Sequence, residues 1–287
     1  MQDLRIALIQ LGWAGSRDAM AERYRPLIAQ AVQTGAALIC LPELSLSPYF
    51  PGTTDPAGFS WAEPLHGGAS DVLFSELARQ HGVTIISSIF EHTPDGHYYD
   101  TAIIHNPRGE LSGVTRKIHL PYGEGYNETD FFEPSDAYPV FNVGALTVAA
   151  PTCYDQWFPE LARIYSLNGA ELIFYPTAIG SEPTDPNIDT AEAWQTIMRG
   201  HAIANGVYVG AANRIGIENG VTFYGSSFLC DPMGRILTQA GRATTEVITA
   251  DLTAAMLEHW RRLFPLLRQR MPQTYGRIVQ AEGGQSA

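Results

Sequence analysis

Cysteine is scarce: the 287 residues hold three, Cys40, Cys153 and Cys230, odd in number and widely spaced. No C-x-x-C pair occurs among them and none of the eight histidines pairs as H-x-x-x-H, so neither a disulfide framework nor a zinc site is indicated and no metal is expected. Positive charge is sparse too. Lys and Arg number 18 against 30 Asp and Glu, a formal net charge of -12, which speaks against a nucleic-acid surface. No apolar run reaches the ~18 residues that a membrane span needs, and MQDLRIALIQ enters a strand-like segment without an apolar signal core. A reducing, cytoplasmic setting is the expectation. A Walker-type phosphate loop and a G-x-S-x-G elbow are missing, and there is no internal repeat, low-complexity stretch or linker long enough to separate domains.

What the chain does have is a run of short, β-branched apolar segments, at 5–10, 37–41, 83–90, 99–106, 145–150, 171–176, 207–213, 226–232 and 247–252, which read as buried strands. Helical spacing lies between several of them. Ser16 is expected to cap a helix that stops at Gly35, and Ser70 a second that stops at Gly82. Two more are expected, from Pro159 to about Leu167 and from about Ala191 to Asn205. Alternating strands and helices, followed by strands joined through turns, imply an α/β protein with a mixed sheet; about ten strands are too many for one small sheet, so two sheets covered by helices are expected.

Three ionisable residues sit at the carboxyl ends of apolar runs: Glu43 after ALICLP, Lys117 in GVTRKIHLP and Cys153 after ALTVAAPT. Ligands bind at such strand ends in α/β sheets. Taken singly each has a plain explanation, as a loop carboxylate, a surface charge and a small core filler. Together they supply thiol acyl transfer. A free thiol with pKa near 8.5 is only a few per cent ionised at neutral pH, so it needs a base, and the oxyanion formed on attack needs a cation. Glu43 is the candidate base, Lys117 the candidate cation and the backbone N–H after Cys153 a second oxyanion donor.

LPEL around Glu43, RKIHLP around Lys117 and CYDQWFPE around Cys153, in that order, resemble the nitrilase superfamily of carbon-nitrogen hydrolases over almost the whole chain. The resemblance implies a four-layer αββα sandwich of two mixed β-sheets and a Glu-Lys-Cys triad without cofactor. It also implies one domain over residues 1–275. The small, polar tail 276–287 is expected to fray or to reach another subunit. GAELIFYPTAIGSEP, RGHAIANGVYVGAANRIG and TFYGSSF look most like the N-carbamoylputrescine amidohydrolases, which cleave the ureido group to putrescine, carbon dioxide and ammonia in polyamine synthesis. A second glutamate near the lysine belongs to the family pattern, with Glu128, in Tyr126-Asn127-Glu128, preferred over Glu124. One departure is Pro151 before the nucleophile, which cannot donate a ladder hydrogen bond. Homo-oligomers are implied by resemblance alone.

Carbamoylases that act on amino acids carry arginines just after the cysteine, where this chain has Gln156 and Trp157. The obvious carboxylate clamp is therefore missing. Tyr49, Tyr154, Trp157 and Glu182, with Thr177, are the expected substrate contacts, aromatic faces and a carboxylate suited to a cationic amine. The alternatives are another linear amide or a carbamoyl amino acid such as N-carbamoyl-β-alanine, a catalytically silent scaffold of the same fold, and a papain-like pair of Cys153 with His201. The last lacks the local signature around its cysteine.

Overall fold

Ser16 opens the first helix as expected: its side chain accepts the Ala19 backbone N–H at 3.1 Å, and the helix α1 runs over Arg17–Gln33. The structure, a computed structural model, describes residues 2–280. Helix α2 (Ala69–His81) ends on Gly82, whose φ of 65° is the left-handed geometry that glycine adopts without a Cβ penalty. Its start differs from expectation. Gly68 precedes the helix, and Ser70 lies in the first turn, where its backbone N–H and hydroxyl both donate to Glu63, at 2.7 and 2.6 Å. A carboxylate from outside takes two donors and meets the positive helix end, so it outcompetes a serine cap. Helices α3 (Pro159–Leu167) and α4 (Ala191–Asn205) stand where the sequence puts them.

The strands are β1 (Leu4–Gln10), β2 (Leu38–Cys40), β3 (Thr84–His92), β4 (Tyr98–His105), β5 (Leu111–Arg116), β6 (Phe141–Val143) and β7 (Leu146–Ala149). There follow β8 (Leu172–Pro176), β9 (Tyr208–Ala212), β10 (Ile215–Glu218), β11 (Val221–Tyr224), β12 (Phe228–Cys230), β13 (Ile236–Gln239) and β14 (Glu246–Leu252), then helix α5 (Ala254–Leu263). All nine apolar runs are strands. The short β5, β6, β10, β11 and β13, and α5 behind its Thr253 cap, go beyond the sequence reading.

One six-stranded sheet has the order β14-β1-β2-β3-β4-β5 and the other β13-β12-β9-β8-β7-β6. The inner faces meet in a core that includes Ile6, Leu38, Ile86, Val148, Leu172 and Leu229. Helices α1 and α2 cover the first sheet through Tyr24, Ile28 and Phe74, and α3 and α4 cover the second through Tyr165, Trp194 and Met198. These are the four layers expected, αββα. Each such side chain stabilises the fold by roughly 1.5–3 kcal/mol on burial. No helix among the described residues is long and apolar enough to cross a membrane.

Strand direction places the chemistry. β1, β2 and β3 are parallel, and two antiparallel reversals through β4 bring β5 back to the direction of β2. The residues after β2 and β5, Glu43 and Lys117, therefore leave the first sheet at the same edge. In the second sheet β7, β8 and β9 are parallel, so Cys153, Ala178 and Arg214 follow strands that end together. β7 closes at Ala149, before Pro151, so the proline takes no ladder position.

Candidate active site

Lys117 is fully buried, and its Nζ lies 2.7 Å from Glu43 Oε1, 2.5 Å from Glu128 Oε2 and 3.3 Å from Asp100 Oδ2. Removing an ammonium from water costs several kcal/mol, which is tolerable only with partners of this kind. The carboxylates of Glu43, Asp100 and Glu128 form a cluster of the sort that holds metals, but the lysine ammonium occupies its centre and supplies the positive charge. Glu128 also accepts the Tyr49 hydroxyl at 2.9 Å. Glu128, then, is the glutamate that meets the lysine; Glu124 is exposed at the mouth of the cavity.

Cys153 begins a short 3₁₀ turn (Cys153–Trp157) with φ 41°, a left-handed conformation that costs a residue with a Cβ about 1–2 kcal/mol. Its Sγ points to Ala178 O at 3.6 Å. Burial pushes the thiol pKa well up, Glu43 and Glu128 add to the rise, and Lys117 opposes it. Burial likewise raises Glu43 well above the usual carboxylate range, against the pull of Lys117. Burial disfavours the Lys117 ammonium, but Glu128 and Glu43 outweigh it and hold its pKa above the ordinary value. Glu43 Oε2 receives no hydrogen bond from a protein donor among the described residues, and the neighbouring Asp100 carboxyl adds to the rise.

A cavity of about 270 Å³ opens over this floor, lined by Cys153, Glu128, Tyr126, Tyr154, Trp157 and Glu182 among others. Among the described residues, no lysine, arginine or histidine lines it. Glu182 is partly buried, which raises its pKa. Of the expected contacts, Tyr154, Trp157 and Glu182 reach the cavity. Tyr49 and Thr177 do not: Tyr49 is buried behind Glu128, and the Thr177 hydroxyl turns inward to Tyr175 O at 2.9 Å and Gln156 Oε1 at 3.3 Å. Burial of a hydroxyl requires such partners, and here they lie within the wall. His201 donates to Gln156 O, at 2.9 Å, and is not among the cavity residues.

Several residues escaped the sequence reading. Asp155, fully buried, accepts the His119 backbone N–H and Nδ1, both at 2.8 Å, and the Ile118 N–H at 3.3 Å, which ties the segment after Lys117 to the cysteine turn. The Tyr126 hydroxyl donates to Ser181 O and accepts Gly180 N–H, fixing the wall next to Glu182. A polar side chain at a turn gives no sign in sequence of which distant backbone it meets, although its place in CYDQWFPE beside the thiol was visible.

The chain matches the family Carbon-nitrogen hydrolase over residues 5–262. It belongs to the carbon-nitrogen hydrolase family. Among relatives of this hydrolase, a citrullinase of Francisella tularensis is 35% identical over 97% of this chain and 99% of its own length. An N-carbamoylputrescine amidase of Solanum lycopersicum is 38% identical over 92% of this chain and 90% of its own. The crystal structure of a carbon-nitrogen hydrolase from Helicobacter pylori G27 superposes with a TM-score of 0.92 at 33% identity, covering 98% of this chain and 99% of that one. The nitrilase-type sandwich is thereby shared in full.

The buried carboxyls make the hydrolase's stability depend on pH. Burial raises Glu128 from 4.5 to about 7. Between these values the folded chain keeps a proton that the unfolded chain has shed, so this contribution is full below 4.5 and is lost as pH rises to about 7. Urea unfolding at pH 5 and pH 7.5 checks it: Glu128→Gln is expected to flatten the fall, and an unchanged slope contradicts it.

Proposed function

We propose that this hydrolase cleaves the ureido group of N-carbamoylputrescine, or of a close cationic carbamoyl amine, to the amine, carbon dioxide and ammonia. The observation that carries this reading is the cavity over Cys153, which has Glu182 and Glu124 at its wall and mouth and no cationic side chain among its described lining. A zwitterionic tail such as that of citrulline would bring a carboxylate into a site without a partner for it, at a cost of about 1–3 kcal/mol. An ammonium tail meets Glu182 and the faces of Tyr154 and Trp157.

Glu43 takes the Cys153 proton as sulfur attacks the ureido carbonyl carbon, and the carbonyl electron pair moves onto oxygen. Because burial and Glu43 keep the resting thiol protonated, transfer accompanies attack. Lys117 and the Tyr154 backbone N–H stabilise the oxyanion. The carbonyl re-forms, the carbon–nitrogen bond breaks, and ammonia leaves with the proton held by Glu43, giving an N-alkylcarbamoyl thioester on Cys153. Glu43 then takes a proton from water, whose oxygen displaces sulfur. The thiolate recovers the proton, and the released carbamic acid loses carbon dioxide. Polyamine synthesis in the cytoplasm is the matching role; Cys40, Cys153 and Cys230 are all free thiols in the structure, in keeping with a reducing compartment.

Ammonia release from N-carbamoylputrescine, citrulline and N-carbamoyl-β-alanine tests the substrate. The first is expected to have the highest kcat/KM, and Glu182→Gln to raise its KM roughly tenfold, the worth of one charged hydrogen bond. Preference for citrulline would sink the cationic-tail reading. Self-association through α3 belongs to the same proposal, because Ile164 and Leu167 share an apolar groove with Ile278 and Val279. Sedimentation of the purified chain checks it. The end of the tail, 281–287, lies outside the described residues.

A further inference from the structure

The β10–β11 hairpin grips the segment that carries Glu43. Arg214, between β9 and β10, is 2% exposed. Its Nε donates to Glu43 O at 3.2 Å, and its Nη2 to Leu44 O at 2.7 Å and to Ser47 O. Nη1 contacts both oxygens of Glu218, at 2.7 and 2.8 Å. Glu218 accepts the Tyr49 backbone N–H at 2.7 Å, and Asn219 Nδ2 donates to Tyr49 O at 3.0 Å. The Tyr49 hydroxyl then reaches Glu128. Leu44, beside Glu43, has φ 50°, and a non-glycine residue stays in that region only where its surroundings over-determine it. Arg214 and the hairpin supply that constraint together with Ser88 of β3, whose hydroxyl accepts the Leu44 N–H at 3.0 Å. The hairpin tip, Asn219-Gly220, has positive φ at both residues, as a tight two-residue turn requires.

We propose that Arg214 and Glu218 are positioning residues for the reaction. They hold the Glu43 backbone from one side and, through Tyr49, Glu128 from the other, so that both carboxylates stay on Lys117. The inference rests on the assignment of Glu43 as base. A buried ion pair with only a structural role would affect folding and nothing else. A positioning pair sets the distance from base to thiol, where a shift of about 1 Å costs on the order of a hundredfold in rate.

Glu218→Gln keeps the volume but turns an amide N–H₂ toward a donor, and Arg214→Lys keeps the charge but offers one donor centre to three carbonyls. In the folded variants kcat for N-carbamoylputrescine is expected to fall tenfold or more, roughly, with KM within about twofold. The acid limb of the kcat profile is expected to move up by about half a pH unit, because Glu43 loses part of the Lys117 charge that offsets its burial among Asp100 and Glu128. Tyr49→Phe, the mildest variant, is expected to combine with Glu218→Gln less than additively. The pH dependence of Cys153 alkylation by iodoacetamide reads the same displacement without substrate. Turnover and alkylation profiles that superpose on wild type, or losses matched by the fraction unfolded, overturn the proposal. A wild-type chain inactive on every ureido and linear amide substrate overturns the proposed function instead, and the alkylation profiles still decide the positioning.

Discussion

Cys153→Ala is expected to remove turnover, by on the order of 10⁴-fold or more, while the chain stays folded. The side chain is small, buried and, among the described residues, hydrogen-bonded only to Ala178 O, so its loss leaves no orphaned charge and a cavity no larger than a thiol. Cys153→Ser keeps the volume but replaces the thiol with a far weaker acid, and Glu43, with its proton affinity already raised by burial, does not compensate. Both variants are expected near background in ammonia release, with thermal unfolding within a few degrees of wild type, about 1 kcal/mol. A Cys153→Ala chain that retains near-normal rate would rule the nucleophile out, and a silent scaffold would show no dependence on this residue.

Lys117→Ala is expected to have the second largest effect, and it differs in kind because stability and rate both fall. Three carboxyls converge on the ammonium, and removal of one partner of a buried ionic cluster typically costs about 3–5 kcal/mol. The kcat is expected to drop on the order of a hundredfold or more as the oxyanion loses its cation. The sign of the pH effect follows from the charges. Without the ammonium, Glu43 and Glu128 lie further above their unfolded values, so acidification neutralises them and the deficit in unfolding free energy shrinks from pH 8 to pH 5. Urea unfolding at both pH values, with steady-state rates, tests both halves. A change in KM alone would remove Lys117 from the oxyanion.

The architecture was legible where periodicity carried it. Nine apolar runs became strands because burial on both faces demands continuous apolar sequence, and α1 announced itself by Ser16. Short, half-exposed strands such as β13 (Ile236–Gln239) offer no such signal. The β10–β11 hairpin was within reach, since Asn-Gly between two apolar stretches is a strong turn signature. At the site, Glu43 and Lys117 converge because β2 and β5 end at one edge, a consequence of topology that ordered motifs already foreshadowed, and Glu128 reaches the lysine from the short turn Glu128–Asp130 beyond β5. Tyr49 is expected as a contact for its aromatic face, and Thr177 with it, but neither side chain lines the cavity. Their hydroxyls are instead consumed by Tyr175, Gln156 and Glu128. The same holds for Asp155 and Arg214, whose partners lie up to 171 residues away in sequence.

Covalent capture of the intermediate is the most direct test of the central claim, that Glu43 and Lys117 serve Cys153 as one acyl-transfer unit. Acid quenching during turnover of N-carbamoylputrescine, followed by peptide mass spectrometry, is expected to find the Cys153 peptide carrying the substrate less one ammonia, and to find none in Cys153→Ala. Sustained turnover with the Cys153 thiol unmodified throughout would contradict the account.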